Sequence, residues 1–158
     1  MSPGPQKEMT LLGAAGLIPF IGAAAGLWLP SGVLPTIIEN GLGDFLLIYA
    51  AVIIAYLTGL NAGAKLQNAS HSTGQFASGQ ALLLVAFFLA LPMSAAFSTP
   101  LPDWARFFLM SVVFAIVLVM DLSLARRSQI PQWFRRLRIF LTSCVGACLL
   151  LAAVKTGI

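Results

Sequence analysis

Asp121 is the residue of this sequence most able to do chemistry: a carboxylate inside the apolar run Trp104–Ala125, about one turn from its end. A charge in such a run is costly and marks either a held ion pair or a functional site. The chain reverses near Gln129, and Arg138 lies almost as far beyond that point as Asp121 lies before it. A helix hairpin brings two such residues to similar depth, so an Asp121–Arg138 ion pair is expected to clamp it, with Arg135 as the alternative partner. The rival reading makes Asp121 a proton or substrate site. Asn61 and Gln80 flank the polar stretch Lys65–Gln75 from the two neighbouring apolar runs. Such amides either hydrogen-bond across helices or build a polar pocket, here with Tyr56 and Thr58. Asp121, Asn61, Arg138 and Gln80 therefore form the candidate intramembrane polar site.

No catalytic set accompanies them. His71 is the single histidine, in a polar stretch without a nucleophile or carboxylate spaced to work with it. No glycine-rich phosphate loop and no nucleophile elbow occurs. Cys144 and Cys148 share one helix face, where disulfide geometry is poor and two thiolates alone make no zinc site; they read as small packing residues. No catalytic residue, metal or cofactor is expected.

A second cluster follows Asp121. Arg126, Arg127, Arg135, Arg136 and Arg138 fall between two of the most apolar runs, and Pro131 precedes the aromatic pair Trp133–Phe134. Rings at headgroup level with arginines on phosphates make an interfacial helix start. Trp133, Arg135, Arg136 and Arg138 are the candidate headgroup-binding residues, for generic anchoring or for recognition of an anionic lipid.

The elements that must position these residues are membrane helices. The chain is 59% hydrophobic and only 9% charged, far below the roughly 25% of a soluble domain. Its +4 net charge flanks apolar segments, so a positive-inside bias explains it and nucleic-acid binding is not expected. The expectation is an all-α membrane protein, one domain over residues 1–158, with five transmembrane helices near 9–29, 45–64, 76–97, 104–125 and 133–155. Pro19 should kink the first. Gly13, Gly16, Gly22 and Gly26 in that run, and Gly59 and Gly63 in the second, are small-residue faces for close helix packing. Residues 30–43, with two prolines and two late glycines, read as a loop, after which Asp44 could cap the second helix. With the N-terminus inside, Lys7, Lys65 and the five arginines lie inside, against Arg106 and Lys155 outside. An N-in/C-out arrangement follows.

Three stretches carry a family resemblance: LLGAAGLIPFIGAA at residues 11–24, YAAVIIAYLTGLNAG at 49–63 and IPQWFRRLRIFLT at 130–142. They resemble the DUF3429 family of small membrane proteins of proteobacteria, and of mitochondria as the transmembrane protein 69 type. The pattern of Pro131, Trp133, Phe134, Leu137 and Arg138 is the most specific part. Where the family commonly carries His-Trp, this chain has Asn61 and Ala62, so an imidazole role there is not implied. The resemblance implies a multi-pass protein of the bacterial inner membrane and no established activity. The function expected first is a non-enzymatic accessory or assembly factor; the alternatives are a lipid- or quinone-binding protein or enzyme with a cytoplasm-facing pocket, and a small transporter. The expected partners are the bilayer, anionic lipids among its components, and a membrane-protein partner or a second copy of the chain.

Overall fold

The computed structural model describes residues 5–66, 73–91, 101–126 and 132–158, and every regular element among them is an α-helix. They are α1 (Pro5–Ala15), α2 (Ile18–Leu27), α3 (Thr36–Leu66), α4 (Thr73–Ala90), α5 (Asp103–Arg126) and α6 (Gln132–Gly157). Among the described residues four stretches are long and apolar enough to cross a membrane: Thr10–Leu27, Thr36–Gly63, Asp103–Ser123 and Arg135–Gly157. The third expected run is represented by the shorter apolar helix Ala77–Ala90. Residues 92–97 of that run lie outside the described residues, as do His71 and Arg127.

The first apolar run is a broken helix. The expected kink at Pro19 falls one turn earlier, at Gly16–Leu17, and Pro19 stands in the first turn of α2. Proline has no N–H to give to the carbonyl four residues back, which is harmless only at a helix start. At the break the Tyr49 hydroxyl of α3 donates to the Gly16 carbonyl at 3.2 Å.

Residues 30–43 differ more from expectation. Only the first part is a turn. Val33 N–H bonds the Pro30 carbonyl, with Gly32 at φ +91, a backbone that a type II turn demands and glycine supplies. The Pro35 carbonyl then accepts from Ile38 and Glu39, and α3 runs for 31 residues from Thr36. Asp44 is thus well inside a helix rather than at its cap. The prolines and glycines that suggested a loop are tolerated because Pro35 precedes the helix, where it breaks no ladder bond. At about 1.5 Å per residue α3 extends some 46 Å, beyond the roughly 30 Å of a hydrocarbon core.

Packing centres on α3 and α5. α3 contacts α2, α4 and α5; α5 contacts α3, α4 and α6; α2 also packs on α6, which is the main partner of α1. Phe20 joins three helices, its ring 5.1 Å from Tyr49 and 6.2 Å from Phe114. The fully buried Leu46, Ala50, Ile54, Met110 and Leu149 belong to the same core. The exterior is also apolar, with Leu11, Val52, Phe87, Phe108, Val119 and Phe140 exposed on successive helices. A soluble monomer rarely shows such continuous apolar surface, whereas a bilayer solvates it.

The small-residue faces divide. A Cβ at Gly13 would stand 2.9 Å from Leu141 Cδ1, and one at Gly26 2.9 Å from Leu42 Cδ1, so these two glycines do admit neighbours closely. A Cβ at Gly22, Gly59 or Gly63 would meet nothing within 4 Å among the described residues. The second GxxxG face lies on the outside of the fold.

Candidate functional site

Three of the four candidate polar residues converge. Asn61 on α3, Asp121 on α5 and Arg138 on α6 are each buried. Asn61 Nδ2 donates to Asp121 Oδ1, and Arg138 Nε lies 3.4 Å from Asp121 Oδ2. The hairpin of α5 and α6 sets Asp121 and Arg138 at one depth, and α3 crosses beside them. A carboxylate held by an arginine and an amide can remain ionised among apolar helices, because its charge is matched and its oxygens are bonded.

Gln80 is not part of this group. It is exposed on α4, while its neighbour Gly79 takes the packed position near Thr58 Cβ. Thr58 itself donates back to the Ile54 and Ala55 carbonyls within α3. Of the candidate headgroup residues, Arg135 and Arg136 are exposed and Trp133 is half-buried. Arg138 departs from them, withdrawn into the pair with Asp121.

Arg138 also lines a cavity of about 440 Å³ between the broken first helix, α3, α5 and α6. Among the described residues its lining is almost wholly apolar, including Leu17, Phe20, Leu57, Phe114, Leu141 and Val145, and Tyr56 and Thr142 bring hydroxyls. Of the lining residues, Leu12 on α1 and Tyr56 on α3 are also exposed. Size and lining fall in the range of small-molecule sites, which are mostly apolar with a few placed polar groups.

A second charged cluster escaped the sequence reading, which counted Arg106 only as an outside charge. Arg106 is 5% exposed. It pairs with Asp103 at 3.0 Å and Asp44 at 3.4 Å, and its Nε and Nη2 donate to the carbonyls of Leu89 and Leu91 at 3.1 and 2.8 Å. Those carbonyls belong to the end of α4, so Arg106 supplies the cation that α4 lacks in its own last turn. An available signal was Asp103 three residues earlier at a helix start. Arg106 and Asp121 sit near opposite ends of α5, about 22 Å apart at helical rise. Lys155 over the Trp28 ring at 5.6 Å, and Gly157 against Trp104, fall at the Arg106 end.

Among the described residues no group of three or more His, Cys, Asp or Glu side chains could hold a metal ion. A family model described as a protein of unknown function, DUF3429, matches residues 5–154. No curated protein and no solved structure matches the chain.

Proposed function

The chain belongs to the DUF3429 family, and we propose that it is a five-span integral membrane protein that works by binding an amphiphilic membrane molecule in the cavity beside Arg138. The observation that carries this reading is a cavity of about 440 Å³ whose described lining is apolar apart from Arg138, Tyr56 and Thr142. An acyl or isoprenoid tail matches the walls by the hydrophobic effect. The guanidinium fixes the polar end, as a few placed polar groups do in such sites. Among the three functions open from the sequence, this favours lipid or quinone binding. The Asn61–Asp121–Arg138 set then serves to hold the arginine in place.

We infer the orientation from charge, with the N-terminus and the arginine-rich α5–α6 connection on the cytoplasmic side of a bacterial inner membrane. Arg135 and Arg136 rest among headgroups there, and the Arg106 cluster sits at the outer end.

Filling the cavity tests the reading. Leu57→Trp and Val145→Phe each add bulk to a lining position. Native mass spectrometry of the wild-type chain, released from mild detergent, should show a co-purified amphiphile that either variant loses while still folding. Equal occupancy in wild type and both variants would refute it.

A further inference from the structure

We propose that α1 is a gate on this cavity: it swings about the break at Gly16–Leu17 to admit and release the bound molecule, and the Tyr49 hydroxyl holds the break in its closed form. This rests on the cavity reading above.

The walls are not equally fixed. α3, α5 and α6 are tied together by Asn61, Asp121 and Arg138, and separating such a buried pair would leave charge unmatched at high cost. α2 is pinned by the buried Phe20, which packs on both Tyr49 and Phe114, and by the buried Ala23 and Ala24. α1 gives the cavity Leu12 and Gly13, yet none of its residues with a described side-chain environment is buried. Leu11 and Leu12 are 73% and 72% exposed. In a bilayer those side chains already meet lipid tails, which are as apolar as leucine, so turning α1 outward costs little.

The joint is built into the backbone. Pro19 has no N–H to give to the Ala15 carbonyl. The Leu17 N–H turns to the Ala14 carbonyl at 3.0 Å, three residues back rather than four. Such a tightened turn inside a longer helical run is suited to act as a hinge. At the same joint the Gly16 carbonyl accepts from the Tyr49 hydroxyl at 3.2 Å, which ties the break to α3. Gly13 provides the seat. A Cβ there would stand 2.9 Å from Leu141 Cδ1, so glycine is what lets α1 close on α6.

The test times a photoprobe on the full-length chain in maltoside detergent. The probe is hexadecanol carrying a diazirine in its tail, and its labelling of Leu57 or Val145, lining residues outside α1, is read by mass spectrometry. Labelling of the unlinked protein is the expected starting result; its absence would remove the cavity reading and the gate with it. Gly13→Cys and Leu141→Cys, in a Cys144→Ala/Cys148→Ala background, are then joined by a short bifunctional methanethiosulfonate. The link should slow entry of the probe, and its release into excess unlabelled hexadecanol, by at least about tenfold, as when access needs a lid to open. Dithiothreitol should restore both rates. Equal rates with and without the link would refute the gate while the cavity reading stands, and so would failure of the two positions to link.

Tyr49→Phe is the second arm. It keeps the ring against Phe20 and removes only the hydroxyl. Entry and release should both quicken by about fivefold, the effect of one hydrogen bond, with their ratio unchanged. A residue that merely supported a wall would change the ratio instead. That result, or unchanged rates, would overturn the latch.

Discussion

Arg138 on α6 grips Asp121 on α5 through Nε and Oδ2 at 3.4 Å, inside apolar surroundings. Asn61 bonds the other oxygen, so a single carboxylate ties three helices together. Breaking such a pair from one side costs far more than removing both charges, because the survivor keeps its desolvation penalty. Asp121→Leu alone should lower stability by about 3–5 kcal/mol. Asp121→Leu with Arg138→Met should recover much of that loss. Thermal unfolding in detergent, followed by circular dichroism, measures both; equal losses would show that the two residues are not coupled.

At the other end of α5, Arg106→Gln removes the charge shared by Asp44 and Asp103 and the donors to the end of α4. The expected cost is about 1.5–3 kcal/mol. It should be smaller than at Asp121, since the Asp44 and Asp103 side chains are 45% and 63% exposed and stay hydrated. Arg106→Lys should recover only part, because an ammonium cannot span two carbonyls and two carboxylates as a guanidinium fork does. Hydrogen exchange at Leu89–Leu91 should quicken in both variants, and unchanged exchange would contradict the capping role.

The two clusters show what the sequence made legible. Asp121 and Arg138 could be paired in advance because a short connection between long apolar runs fixes relative depth. Asn61 was visible as an amide near a helix end. Arg106 and Asp44 are 62 positions apart, and no local spacing links them; only the crossing of α3 and α5 brings them together. Asp44 was further obscured because residues 36–43 look like a loop, and they are helical because Pro35 stands just before the helix rather than within it. Gln80 looked equivalent to Asn61 by symmetry about the polar stretch. Helix rotation, which a uniformly apolar run does not reveal, turned it outward. The cavity had no sequence signal, since its walls use the same residues as the core.

Gly59 and Gly63 are exposed on α3, and among the described residues nothing lies within 4 Å of a Cβ at either. In an isolated chain, Gly59→Ala and Gly63→Ala should each be neutral or stabilising by up to about 1 kcal/mol, through helix propensity. Thermal midpoints and size-exclusion profiles check this together. A fall in stability accompanied by loss of a larger species would mean that a second copy packs on this face.

Orientation can be read from cysteine labelling in a Cys144→Ala/Cys148→Ala background. Thr156→Cys should react with an impermeant maleimide added to intact bacterial spheroplasts, and Gln6→Cys only after lysis. The reverse pattern would invert the topology and place the arginine-rich connection outside.

The most direct test of the binding account is an experimental structure of the wild-type chain in a lipid nanodisc. The account predicts elongated density between Leu57 and Leu141, running out past Leu12 and Tyr56, with its polar end within hydrogen-bond distance of the Arg138 guanidinium. Side chains closed over an empty space at those positions, with lipid density only around Arg135 and Arg136, would contradict it.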